Sequence, residues 1–228
     1  MLSYVTEDTL EAKAREWIER IRPWRQHDPA LRAEASALLV VDMQRFFLDP
    51  DSATFTCGGP PILPTVSRLV EGFRAAGRPV LFTRHVHHPA GLDSGIMGWW
   101  WKGKCLEGSP ESEIHPLLAP LPDEKVVLKH RYSAFYDTDL GTVLRCLGIE
   151  DLVVSGVMTN LCCESTARDA YFRDLRVFVP ADGTGTVTEE MHVASLLNLA
   201  FGFASVTTAA AILEALAAPG ADSLRIDS

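Results

Sequence analysis

Six short apolar runs, most of them followed by a stretch with helical periodicity, restrict this chain more than any other feature. The runs are residues 37–41 (ALLVV), 79–83 (PVLFT), 125–128 (KVVL), 151–155 (DLVVS), 176–179 (RVFV) and 204–207 (ASVT). The helical patterns cover 64–76, 138–147, 161–174, 188–200 and 209–217. Runs this short read equally as buried strand or buried helix. Gly77, Gly148, Leu175 and Gly202 resolve several of them, because each stands where a helix should stop and a strand begin. Alternating strands and helices imply a parallel sheet covered on both faces. Right-handed crossovers then give an α/β fold, an open doubly wound, mostly parallel, Rossmann-like sheet of about six strands.

Two segments fall outside this rhythm. Residues 7–21 have helical periodicity, with Leu10, Ala14, Trp17, Ile18 and Ile21 on one face, and Pro23 ends the run. The division predicted is a helical arm over 1–33, lying on the domain or on a partner subunit, and one domain over 34–228. Residues 85–122 are rich in Gly, Pro, Trp and His and have no clean period, and a long irregular insert of this kind is usually functional.

Composition excludes several roles. With 47% apolar and 22% charged residues the chain is ordinary globular material. A net charge of -9 without a basic stripe argues against nucleic acid and anionic membranes as partners. No apolar run approaches the roughly 20 residues of a membrane span. The first residues lack the pattern of a signal peptide. Five cysteines (57, 105, 146, 162 and 163), an odd number without a CxxC pair, point to reduced thiols and a cytoplasmic location, and give no support to a structural zinc site. No GxGxxG is present, and 183–185 (GTG) is too short for a phosphate loop.

Ligands of open parallel sheets bind beyond the carboxyl ends of the strands. Asp42 follows the first run, Lys129 follows KVVL, and Cys162 lies just beyond a turn after DLVVS. An acid, a base and a thiol thus meet on one edge. A carboxylate just past four apolar residues is partly out of water, which suits it to take up a proton. Thr159 or Asn160 is expected to cap a helix with Cys162 in its first turn, where free N–H groups favour a thiolate. Cys163, one step round, should face the core. The alternative for each is structural: a loop-capping Asp, a solvated Lys, a buried inert thiol. His85, His87 and His88 alternate as a metal cluster could, but no carboxylate stands near them in the sequence. No metal and no cofactor are expected. Phe47, Trp99, Trp100, Tyr132 and Phe135 are candidates for the walls of a small-molecule pocket, from their aromatic content near the motifs.

Taken together, ALLVVDMQ, VVLKHRYSAFYDTDL and GVMTNLCCESTARDA resemble the three motifs of the isochorismatase-like hydrolases, over roughly 36–216. The resemblance implies Asp42, Lys129 and Cys162 as the catalytic trio. It also implies an oxyanion hole from the backbone N–H groups of Met158 and Cys162, a cis Val157–Met158 bond, and a dimer or tetramer. Cys162 favours hydrolysis of a C–N bond through a thioester, since true isochorismatases carry glycine there. Nicotinamidases of the family have an Asp-x-His metal motif after the second strand, where this chain reads His85-Val86-His87. Two rival readings are a vinyl-ether hydrolase acting through Asp42 and a catalytically silent binding protein.

Overall fold

The computed structural model describes residues 3–218; the last ten positions of the domain expected over 34–228 lie outside them. Among the described residues seven strands form one sheet: β1 Ser36–Val41, β2 Val80–His85, β3 Lys125–Lys129, β4 Asp151–Val157, β5 Arg176–Pro180, β6 Thr184–Gly185 and β7 Ser205–Thr207. Every pairing is parallel, in the order β3-β2-β1-β4-β5-β7, with β6 beside the end of β4. The two-residue β6 is too short to leave a pattern in the sequence. Strand order reverses between β1 and β4, so the productive crevice lies at their carboxyl ends.

The helices are α1 Glu7–Ile21, α2 Arg45–Leu48, α3 Gly59–Ala75, α4 Gly95–Trp100, α5 Leu140–Cys146, α6 Glu164–Tyr171, α7 Glu189–Gly202 and α8 Ala209–Ala217. Helix α3 lies on β1, β2 and β4, with α8 beside it, while α6 lies on β4 and β5 and α7 on β7. β1 and β4 are buried along their whole length, as a sheet covered on both faces requires. Helix α3 starts five residues earlier than its periodicity suggests. Pro60 and Pro61 stand in its first turn, where a missing N–H costs nothing. Gly156 lets β4 approach β1 closely: its φ is +119°, and a Cβ there would meet the Val41 carbonyl oxygen at 2.1 Å.

The N-terminal arm lies on the body of the molecule. Helix α1 contacts α3 and α7, and Leu10, Ala14, Trp17 and Ile21 are buried in the same core as the sheet. Further along the arm, the Arg32 side chain reaches the fully buried Asp151 at the start of β4 (2.9 Å), and Arg176 pairs with the same carboxylate.

Candidate active site

Each member of the trio is set by the end of a strand. Asp42 leaves β1 with φ +50°, a left-handed turn that short polar side chains tolerate. Thr83 of β2 fixes it twice: its Oγ1 accepts from the Asp42 N–H (3.0 Å) and donates to Oδ1. Lys129, the last residue of β3, is fully buried. Its Nζ lies 2.8 Å from Asp42 Oδ2, an ion pair rather than an aligned hydrogen bond. Nζ also reaches Cys162 Sγ (3.3 Å), the Arg131 carbonyl (3.0 Å) and His85 Nδ1 (3.3 Å). The structure therefore brings together the three residues singled out from the sequence.

The nucleophile segment departs from the expected helix over 161–174. After β4 the chain makes a π-helical turn, Thr159–Cys163, and only then enters α6. The Leu161 and Cys163 N–H groups both donate to the Met158 carbonyl (3.1 Å each). Neither Thr159 nor Asn160 caps the turn. Thr159 Oγ1 pairs with His192 Nδ1 (2.9 Å), and Asn160 Oδ1 accepts from Thr186 (2.6 Å). Ser195 of α7 reaches the Thr159 carbonyl (3.1 Å) and the Glu164 carboxylate. The turn is thus held by the residues around α7, not by its own cap. Cys163 is fully buried, and the Val157–Met158 bond is cis.

The electrostatics follow from burial. Burial works against the Lys129 charge, but Asp42 and then Cys162 outweigh it and hold the amine above its ordinary value. Cys162 is only 4% exposed. Burial pushes its thiol up to about 12; Lys129 opposes that shift and the Asp42 charge adds to it. Burial thus works against the thiolate that a helix N-terminus would favour.

Among the other expected residues, Phe47 is buried, with its ring edge-on 6.5 Å from that of His85. Tyr132 is half-buried and accepts a hydrogen bond from Trp101 Nε1 (2.9 Å), which fastens the insert to the segment after β3. The structure does not bring Trp99, Trp100 or Phe135 to the trio. Trp99 and Trp100 lie side by side on α4 with their rings tilted by 54°, 74% and 63% exposed. The Phe135 ring lies under the Arg173 guanidinium (4.7 Å), beside Gly141. Aromatic content near a motif says nothing about which way a ring turns.

Sequence reasoning passed over Thr83, Gln44 and His192, and it missed a partner for the histidines. The turn after His88 brings back Asp93, whose Oδ1 lies 3.1 Å from His87 Nδ1 and whose Oδ2 accepts from the His88 N–H (2.9 Å). Gln44 locks the end of β2 as a strand would, accepting from the His85 N–H (2.7 Å) and donating to its carbonyl (3.2 Å). His88 is exposed, and its ring only accepts from the Ala90 N–H.

A metal held as in the Asp-x-His motif does not fit at His85. His85 stands where the carboxylate would, with Nδ1 against the Lys129 ammonium and Nε2 3.2 Å from His87 Nε2. His87 Nδ1 is turned to Asp93, and His130 Nδ1 is 2.7 Å from the Val86 carbonyl. Lys129 and His85 take up the lone pairs of His85 Nδ1 and His87 Nε2, whereas His130, whose Nδ1 gives its proton to a carbonyl, keeps Nε2 free among the described residues, and one ligand atom each of His87, Asp93 and His130 lies within 4.8 Å of the others.

The isochorismatase domain family matches residues 36–211. This chain belongs to that family. It is 43% identical to Nicotinamidase 3 of Arabidopsis thaliana over 184 residues, covering 79% of this chain and 87% of that protein. It is 35% identical to the ureidoacrylate amidohydrolase RutB of Methylobacterium radiotolerans over 222 residues, covering 87% and 86%. Among solved structures, a cysteine hydrolase from Pseudomonas syringae pv. phaseolicola superposes with a TM-score of 0.79 at 30% identity, covering 84% of this chain and 98% of that one. Membership in the isochorismatase family fits the parallel sheet and the trio at its carboxyl edge.

Proposed function

We propose that this protein is a cysteine amidohydrolase that cleaves an amide or carbamoyl C–N bond of a small molecule through a thioester on Cys162. The observation that carries the reading is the Lys129 ammonium placed between the Asp42 carboxylate and the Cys162 thiol. A hydrolase of C–N bonds is also what its relatives' names describe.

Asp42 takes the thiol proton as sulfur attacks the substrate carbonyl. The Met158 and Cys162 N–H groups face the developing oxyanion. Asp42 then passes its proton to the leaving nitrogen, the C–N bond breaks, and the thioester remains. Water enters, gives a proton to Asp42 and attacks the thioester carbon. The C–S bond breaks, the acid leaves, and the sulfur takes the proton back. Lys129 stays charged throughout and steadies whichever neighbour carries the negative charge. Starting from a thiol suits this cycle, because the base beside it, not the bulk pH, generates the nucleophile.

Ammonia release from nicotinamide and from ureidoacrylate tests the reading, with wild type and Cys162→Ala side by side. Turnover should be lost in Cys162→Ala while its circular dichroism is unchanged. Near-normal turnover in that variant would refute the covalent scheme and leave acid chemistry at Asp42. A wild type inert to both amides, with Cys162 that never labels, would favour a silent binding protein. We further propose that it works in the cytoplasm as a dimer or tetramer, the exposed Trp99 and Trp100 being suited to a subunit contact. Among the described residues no helix is long and apolar enough to cross a membrane.

A further inference from the structure

Between the strand that carries Asp42 and the strand that carries Lys129 lies β2, and its last residue, His85, is the register partner of Lys129. A continuous line of hydrogen bonds runs outward from there. Lys129 Nζ reaches His85 Nδ1 at 3.3 Å, His85 Nε2 reaches His87 Nε2 at 3.2 Å, and His87 Nδ1 reaches Asp93 Oδ1 at 3.1 Å.

Chemistry fixes the direction of this line. An ammonium has no lone pair, so His85 Nδ1 must accept. The one ring proton of a neutral His85 then stands on Nε2 and donates to His87 Nε2. The His87 proton is left on Nδ1, aimed at the Asp93 carboxylate. Each donor meets an acceptor in one sense only. Burial keeps both rings neutral: it drives His85 well below the usual histidine range, aided by Lys129, and it lowers His87 against the pull of Asp93. The charged and titratable groups around His85 are Lys129, Asp42, Cys162, His87, His130 and Arg131; around His87 they are His85, Asp93, His130 and Arg131.

We propose that Asp93, His87 and His85 are positioning residues that orient the Lys129 ammonium by setting the histidine tautomers. An ammonium has three N–H bonds and here four partners. His85 Nδ1 (3.3 Å) and the Arg131 carbonyl (3.0 Å) both face the ammonium, so an accepting His85 helps fix which N–H bonds turn to Asp42 and Cys162. With the opposite tautomer, an Nδ1–H would face the ammonium and push it out of place. Asp93, at the outer and partly exposed end, excludes that tautomer. The proposal rests on Cys162 as the nucleophile, but its test needs no substrate and so fails or stands apart from the amidohydrolase reading.

Two measurements decide it. Ring nitrogen NMR of histidine-labelled protein at neutral pH should show His85 protonated at Nε2 and His87 at Nδ1, with the populations altered in Asp93→Ala. Iodoacetamide labelling of Cys162 at pH 8, followed by peptide mass with exposed Cys146 as the internal reference, should slow roughly tenfold in His85→Leu. His85→Gln offers an acceptor and a donor at a similar reach and should stay within about twofold of wild type, and Asp93→Ala should slow severalfold. A doubly protonated or Nδ1–H His85 would overturn the proposal. So would a His85→Gln as slow as His85→Leu, or an Asp93→Ala that labels at the wild-type rate. If the position-85 variants do not fold, the wild-type tautomers and Asp93→Ala decide alone.

Discussion

Lys129 has no contact with water, and its charge persists because a carboxylate sits 2.8 Å away. Breaking such a pair from one side leaves a lone buried charge, which costs about 3–5 kcal/mol, whereas replacing both partners is close to neutral. Lys129→Met should therefore unfold at much lower urea, and Asp42→Asn combined with Lys129→Met should regain most of the loss. Neither should turn over an amide. Urea titrations of both decide it, and a Lys129→Met as stable as the double variant would mean the pair is not charged in the fold. This scale was partly legible in the sequence. Asp42, Lys129 and Cys162 could be found because each directly follows an apolar run or the turn after one. Thr83 could not, nor could the place of His85 beside Lys129, because both depend on β2 lying between β1 and β3, and strand order is not written in residue spacing. The burial of Cys162 was not legible for a related reason. Helix position suggests a thiolate, and only the fold reveals the burial that opposes it.

The elements that hold the nucleophile turn lie far from it in sequence. Thr159 is bound by His192 of α7, and the His192 ring is met edge-on by Trp17 of the arm at 4.4 Å. Trp17 is fully buried and donates to Glu189 (2.7 Å). The arm is thus the second layer behind the π-helical turn. Trp17→Ala should lower stability by about 3–5 kcal/mol, the range for a large aromatic removed from a core. Chemical denaturation measures this, and a loss under about 1 kcal/mol would mean that the arm contributes nothing to the core. The strands and long helices were readable because buried faces impose a period on the chain. The insert was not. It is held by single contacts with no repeat: Arg84 to the Ser112 carbonyl (2.8 Å), His87 N–H to the Cys105 carbonyl (2.8 Å), and Trp101 to Tyr132. The π-helical turn has no sequence period of its own either.

At the scale of the whole molecule, the buried histidines link stability to pH. His192 is deeply buried, and that burial lowers it from an ordinary 6.5 to about 4. The unfolded chain therefore binds a proton below pH 6.5 that the folded chain refuses until about pH 4. Stability is present in full above 6.5 and is lost as pH falls through that window, by ~3 kcal/mol for a shift of this size. His85 is driven in the same direction and adds to the loss. A second effect runs the other way. The net charge of -9 shrinks as the solution becomes acidic, which relaxes self-repulsion. That repulsion is spread over the surface and screened by salt within about 10 Å at 0.1 M, whereas a buried imidazole is not screened. The histidines should win. The melting temperature should hold from pH 8 to 6.5 and then fall steadily to pH 4.5, with a shallower fall in His192→Gln at equal salt. A wild-type curve that stays flat from pH 7 to 5 would mean that these rings take up protons in the folded state, and the tautomers assigned to His85 and His87 would fall with it.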